Sequence, residues 1–204
     1  FFDATIHNMS INEEPLTEEA FADASNRIAI ALAQFGIDFT EVRDRLVDEI
    51  VTACDGFTPE SELQEKSNTL YDKIFKEQLD VYLKACEYFV YMFNEYAKKY
   101  NVKVRVVSVD EISILDEESQ DTIIESTTHL ISRLTEYMLS PADESEEGES
   151  LEDKMNVIIS MYLDTSFILG LTTAKSLNYF ANKADGVEIG ELVKALETVF
   201  PRIF

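Results

Sequence analysis

Hydrophobic positions recur along most of this chain at spacings of three and four residues, the period of an amphipathic α-helix. The most regular stripe comprises Phe75, Leu79, Tyr82, Cys86, Phe89, Phe93, Tyr96 and Tyr100. A second stripe flanks it and comprises Val81, Ala85, Tyr88 and Met92. Such a helix is apolar over much of its circumference, so we predict a central core helix. The competing interpretation is a seam between two copies, a homo-oligomer formed through the Phe75 to Tyr100 aromatic stripe.

The same period predicts five further helices, bounded by capping residues, glycine and proline. They are Thr17 to about Phe35 with a stop at Gly36; Asp38 to Gly56 with Val42, Leu46, Ile50 and Cys54 inward; a start at Asp116 or Ser119 running through Met138; Leu151 to about Ala181; and a last helix carrying Leu192, Leu196 and Val199. The first two should form an antiparallel hairpin. The central pattern extends back to Pro59, with a break expected at Ser67-Asn68-Thr69, three weak helix formers in a row.

One segment has the period of a strand instead. Val102, Val104 and Val106 alternate with Lys103 and Arg105, and the only comparable alternation is Phe2, Ala4 and Ile6. Six glycines and four prolines leave few turns for an all-β fold. We therefore predict an all-α, single-domain bundle of about six helices over residues 1–204, with at most a minor two-stranded β element and an acidic, flexible loop at 140–150.

The helix from Leu151 is apolar on nearly all sides after Met155, so we expect it to be buried. Its most apolar stretch, Val157 to Leu171, is short for a membrane span and is interrupted by Asp164. Cys54 and Cys86 fall within helical apolar patterns and lack metal-ligand or redox spacing, which predicts reduced core thiols. The start of the sequence lacks the basic and apolar pattern of a secretory signal, so we expect a cytoplasmic protein.

Charge adds an asymmetry to this helical picture. The formal net charge is −23, and the 44 residues from Asp110 to Asp153 hold fifteen acids and one base, Arg133. Seventeen Lys and Arg spread along the chain form no basic face, which argues against direct binding to nucleic acid or to an anionic membrane. A block of one sign is either a solvating segment or a surface for a cationic partner.

The acidic block divides into a helical part and a loop. Glu118 to Glu136 has an apolar face that orders its carboxylates, whereas Asp143 to Glu149 has nothing visible to hold it. We predict a non-enzymatic interaction module without a cofactor that binds a basic protein partner, as a nucleic-acid-mimic inhibitor, an immunity-type protein or an assembly subunit. The predicted partner-binding residues are Glu117, Glu118, Asp121, Glu125 and Glu136. The alternative is that the acidity serves only solubility.

A second pattern favours an enzyme. Glu62-Leu-Gln-Glu65 and Glu77-Gln-Leu-Asp80 resemble the ExxE…ExxD pattern of the all-α nucleotide pyrophosphohydrolases, the relatives of MazG and dimeric dUTPase. The resemblance implies a Mg²⁺ site formed by Glu62, Glu65, Glu77 and Asp80 on neighbouring antiparallel helices. One continuous helix would instead hold Glu62 and Glu77 more than about 20 Å apart, and acids at these spacings also occur on solvated helix faces.

Other motifs are scarce. The turns at Asp55-Gly56 and Asp185-Gly186 resemble those of TerB-like tellurite-resistance domains over a short stretch, and each also fits a plain turn followed by a helix cap. His7 and His129 are the only histidines, which leaves little material for zinc or histidine-based catalysis. No glycine-rich phosphate loop or nucleophile elbow is present, and this favours the non-enzymatic reading.

Overall fold

The computed structural model describes Gly36, residues 38–141 and residues 150–199. Within these ranges it has six α-helices and no β-strand: α1 (38–53), α2 (Glu60–Lys99), α3 (Val109–Leu115), α4 (Glu117–Leu139), α5 (Leu151–Ala184) and α6 (Gly190–Val199). The all-α prediction is confirmed. The predicted helix before Gly36, the alternation at Phe2, Ala4 and Ile6, His7 and nearly all of the acidic loop lie outside the described residues.

Two compact units divide the described chain. The first unit holds Asp38–Val81 and Glu118–Ser166, and the second holds Tyr82–Glu117 and the residues from Phe167 onward. Residues of α2 and α5 therefore contribute to both units. Each unit is described in turn below.

In the first unit, α1 and α2 run antiparallel and are tied by ion pairs. Arg45 Nη2 lies 2.9 Å from Glu77 Oε1, and Lys73 Nζ lies 3.2 Å from Glu49 Oε1. Three of the four predicted inward positions of α1 are confirmed, since Leu46, Ile50 and Cys54 are buried, whereas Val42 is half-buried. Gly36 and Asp38 are both helical, so neither has the non-helical conformation of the predicted stop and cap.

The expected break at Ser67-Asn68-Thr69 is absent, and α2 continues through it for 40 residues. The weak helix formers there are held by bonds that follow the helix. Thr69 Oγ1 donates to the Glu65 carbonyl at 3.0 Å, and Gln64 Nε2 donates to Asn68 Oδ1 at 2.9 Å. Leu70 and Ile74 are buried on the same helix, so tertiary packing outweighs local propensity.

α4 packs against α2 within the first unit through a buried polar contact. Gln78 Nε2 donates to Thr127 Oγ1 at 2.7 Å, and Thr127 Oγ1 in turn donates to the Ile123 carbonyl at 2.8 Å. At the other end, the Thr58 amide donates to the Met138 carbonyl at 2.9 Å. These two contacts fix which face of α4 points outward.

The aromatic stripe of α2 forms the core of the second unit. Tyr82, Cys86, Phe89 and Phe93 are buried, as are Ala85, Tyr88 and Met92 of the flanking stripe. Phe89 and Phe93 both contact the ring of Tyr179 on α5. The core interpretation is therefore confirmed for these positions, and their side chains are not available to a second copy.

α5 approaches α2 most closely at Gly170. A Cβ atom on Gly170 would overlap the Tyr82 carbonyl oxygen and lie 2.7 Å from the Ala85 Cβ atom. Cys86 Sγ donates to the Gly170 carbonyl at 3.4 Å. Only glycine permits this contact between the two helices.

The predicted β element is wrong for its described half, because residues 102–108 do not form a strand. The side chain of Asn182 on α5 takes the place of a neighbouring strand. Its Oδ1 accepts from the Arg105 amide at 2.7 Å, and its Nδ2 donates to the Arg105 carbonyl at 2.8 Å. Asn178 Oδ1 accepts from the Val107 amide at 2.8 Å. Side chains of α5 therefore bond three backbone groups of this segment, the Arg105 amide and carbonyl and the Val107 amide.

α3 was not predicted. It begins at Ser108, whose side chain accepts from the Glu111 amide while the Glu111 carboxylate accepts from the Ser108 amide. This reciprocal capping box is visible in the sequence as Ser108 followed three residues later by Glu111. Asp116 ends α3, so the predicted helix start at Asp116 corresponds to the junction between α3 and α4.

The prediction that α5 is buried on all sides is wrong. Met155, Ile159, Leu163 and Leu171 are buried, whereas Val157 is 58% exposed, Met161 64% and Phe180 73%. Asp164 is half-buried. α5 is the one helix among the described residues long and apolar enough to cross a membrane, and a third of its most apolar window is buried. A core helix of a soluble protein meets the same criterion, so this is weak evidence for a span.

Candidate functional site

The five acids predicted to bind a partner lie on one side of α4. At about 100° per residue, Glu117, Glu118, Asp121, Glu125 and Glu136 fall within about 100° of the helix circumference. The buried residues Ile123, Leu130 and Leu134 lie on the opposite side. We call the five carboxylates the acidic face. The packing of α4 therefore orients them outward together, as the apolar period predicted.

All five residues of the acidic face are exposed. Among the described residues none of their side chains forms an ion pair or a hydrogen bond. Other surface acids do have basic partners, as Glu49, Glu77 and Asp185 have with Lys73, Arg45 and Arg105. The acidic face thus combines several carboxylates on one side of one helix with a lack of counter-charges among the described residues.

Hydroxyl groups between these acids do not bind them either. Thr122, Thr128 and Ser132 donate to the carbonyl oxygens of Glu118, Ile124 and Thr128 at 2.9 to 3.1 Å. Because these protons are used within the helix, the carboxylates keep their full acceptor capacity. Like charges four residues apart, as in Asp121 and Glu125, repel by a few tenths of a kcal/mol, which a cationic partner would relieve.

The acidic face has a compact part and an outlying residue. Glu118, Asp121 and Glu125 are neighbours at helical spacing, about 5 to 6 Å apart at their Cβ atoms. Glu136 lies about 16 Å further along the axis. These four belong to the first unit, whereas Glu117, the first residue of α4, is grouped with the second unit. Glu118, Asp121 and Glu125 are therefore the residues that a test should address first.

The acids of the alternative magnesium site are not brought together. Glu62, Glu65, Glu77 and Asp80 all lie on the continuous helix α2, so the two pairs are separated by about 20 Å along it. Glu77 is held by Arg45 of α1. In the described part of the chain, no group of three or more His, Cys, Asp or Glu residues is placed to hold a metal ion.

The remaining candidate groups offer little chemistry. His129 is an exposed residue of α4, as expected. Cys54 and Cys86 are buried free thiols. Burial raises the pKa of Cys54 to about 11 and that of Cys86 to about 12. Because the thiolate is the nucleophilic form, both cysteines are expected to be inert at neutral pH.

These thiols make a testable prediction about alkaline stability. In the unfolded chain a thiol ionises near its ordinary pKa of 9.0, whereas in the fold Cys86 stays protonated to about pH 12. The folded state therefore binds more protons between these values, and its stability is expected to fall as pH rises above about 9. Urea unfolding measured from pH 8 to 11 should show the decline. Cys86→Ala should remove part of it, and an unchanged slope in that variant would contradict the assignment.

A groove between α1 and α2 was missed from the sequence. It lies in the first unit and is lined by residues of both helices, including Asp48, Thr52, Glu62 and Glu65. Each helix is acidic on its outer face, but which acids come together depends on how the helices pair, which the sequence pattern does not state. The groove brings Glu62 and Glu65 near Asp48 instead of near Glu77.

Comparison with known proteins gives no family for this chain. It matches no family model, no curated protein and no solved structure at a significant level.

Proposed function

We propose that this protein is a non-enzymatic interaction module whose acidic face binds a basic partner protein. The observation that carries the proposal is that five exposed carboxylates without counter-charges among the described residues lie on one side of α4, whereas some other surface acids, such as Glu77, are paired with a base. A fixed row of carboxylates steers a cationic surface toward it and sets the register of docking. Inhibitors that imitate nucleic acid, immunity-type proteins and assembly subunits all work in this manner.

The proposal requires no cofactor and no direct contact with nucleic acid or membrane. The proposal includes a cytoplasmic location, with which two free, buried cysteines are compatible. The proposal does not include a homo-oligomer through the α2 stripe, because its central residues Tyr82, Cys86, Phe89 and Phe93 are buried.

Neutralising the compact part of the acidic face tests the proposal. We expect a triple variant to bind a basic partner recovered from the native host about tenfold or more weakly, because several exposed charge contacts are lost together. The variant carries Glu118→Gln, Asp121→Asn and Glu125→Gln. The affinity of the unchanged protein should also fall steeply between low and high salt. Calorimetry or surface plasmon resonance with the purified partner measures both effects.

A matched control separates the pattern from the net charge. Asp72→Asn, Glu152→Gln and Glu188→Gln remove the same three charges from exposed acids that do not form one face. This control should bind like the unchanged protein. Equal weakening in both triple variants would mean that only net charge matters. If the α4 variant bound the partner normally, the proposal would be refuted. If both variants were only less soluble, the acids would serve solubility alone.

A further inference from the structure

The groove between α1 and the first half of α2 has the volume of a binding site, about 710 Å³. Its charged lining consists of Asp48, Glu49, Glu62, Glu65, Lys66 and Lys73. A groove of this size holds several side chains rather than one ion. Its chemistry depends on which of these charges remain open to a ligand.

The two lysines are already engaged within the protein. Lys73 Nζ pairs with Glu49 Oε1 at 3.2 Å. Lys66 Nζ donates to Thr58 Oγ1 at 3.2 Å and approaches the Ala53 carbonyl at 3.5 Å.

The other acids of the lining remain open. Asp48, Glu62 and Glu65 are exposed, and their side chains form no ion pair or hydrogen bond within the described ranges. Glu62 and Glu65 are three residues apart and so share a helix face. The open charge of the groove is therefore negative.

An exposed apolar side chain lies on the turn that connects the two helices of the groove, α1 and α2. Phe57 is 67% exposed on this turn. The backbone around it is fixed on both sides: Gly56 has φ +80°, a conformation that favours glycine, and the Thr58 amide is bonded to the Met138 carbonyl. Lys66 bridges the same turn from Ala53 to Thr58. Phe57 is thus held outward by a rigid turn, and Leu139, next to Met138, is also 45% exposed.

We propose that this groove binds a basic amphipathic segment of a partner protein. Lys or Arg side chains of the segment pair with Asp48, Glu62 and Glu65, and an apolar side chain packs on Phe57. Charge complementarity selects a cationic occupant, and the adjacent fixed aromatic selects one that also has an apolar side. A metal ion does not fit, because the described residues contain no group of ligands for one. This surface is separate from the acidic face of α4 and does not depend on it.

The test uses a defined probe, a fluorescein-labelled synthetic helix of about four turns with leucine on one face and lysine on the other. Fluorescence anisotropy near physiological salt measures its affinity. The triple variant Asp48→Asn, Glu62→Gln and Glu65→Gln should weaken binding by about tenfold. Phe57→Ser, which changes no charge, should weaken it by a similar factor.

Matched controls make the outcome specific. Asp72→Asn, Glu152→Gln and Glu188→Gln together match the charge change, and Phe180→Ser removes an aromatic residue that is 73% exposed in the second unit. Both controls should leave the affinity unchanged. All the substituted residues are exposed, and thermal unfolding verifies that each variant is folded.

Three results would overturn the proposal. Equal loss in the charge-matched control would mean non-specific attraction to an acidic protein. Full competition by spermidine together with an unaffected Phe57→Ser variant would mean a site for small cations. Loss only in the variant of Glu118, Asp121 and Glu125 would place the probe on α4, which would support the proposed function while refuting the groove.

Discussion

Gly170→Ala is expected to destabilise the protein by about 3 kcal/mol or more, at the upper end of the range for overpacking, because the neighbouring atom is rigid. The added methyl group would overlap the Tyr82 carbonyl oxygen, a backbone atom of α2 that cannot rotate away. Relief would require α5 and α2 to separate, which would loosen the aromatic core around Phe89. Urea unfolding followed by circular dichroism measures the loss.

Gly190→Ala is the control for this substitution. Gly190 is the first residue of α6, and a Cβ atom there would meet nothing within 4 Å. Its replacement should leave stability unchanged or raise it slightly, because alanine favours a helix more than glycine does. If both substitutions destabilised the protein equally, the close contact between α5 and α2 would not explain the requirement for glycine at Gly170.

The sequence pattern predicts the helices well where their determinants are local. The 3.6-residue period identified the buried positions of α2 and the inward residues Ile123, Leu130 and Leu134 of α4. The turn at Gly56 was also predicted, and Gly56 has the positive φ that such a chain turn favours. In each case the information lies within a few residues of the position.

The errors arise where distant residues decide the structure. Val102, Val104 and Val106 alternate like a strand, but the partner of this segment is a pair of asparagines more than seventy residues away. The spacing of Asn178 and Asn182 on an apolar helix face was a visible signal, since buried amides require hydrogen-bonding partners. Which backbone they would bind could not be read from the sequence.

Some properties of the candidate site follow from the local sequence, and others depend on distant residues. That Glu118, Asp121 and Glu125 point outward follows from the period of α4 alone. Their lack of a counter-charge among the described residues does not follow from this period, because it depends on which acid each basic side chain pairs with. Arg45 pairs with Glu77 across 32 positions of sequence, and Lys73 pairs with Glu49 on the neighbouring helix. Tertiary pairing therefore distinguishes one set of surface acids from another.

Asn182→Ala is expected to cost roughly 2 to 4 kcal/mol, because it removes several buried hydrogen bonds at once. The side chain is fully buried and makes three: two with the backbone of Arg105 and one to the Asn178 carbonyl at 2.7 Å. Hydrogen exchange of the Arg105 amide should accelerate, since that amide loses its acceptor. Urea unfolding provides the total free energy.

Asn182→Asp and Asn156→Ala make the interpretation specific. The aspartate can still accept from the Arg105 amide, but its carboxylate would face two carbonyl oxygens in a buried site, so it should destabilise at least as much as alanine does.

Asn156 lies on the same helix and makes no side-chain hydrogen bond among the described residues, so Asn156→Ala should have little effect. The Val107 amide is held by Asn178 and should keep more of its protection than the Arg105 amide in the Asn182 variants. If the Arg105 amide exchanged at the same rate in Asn182→Ala as in the unchanged protein, the role of Asn182 would be refuted, because residues 102–108 would then be held by other contacts.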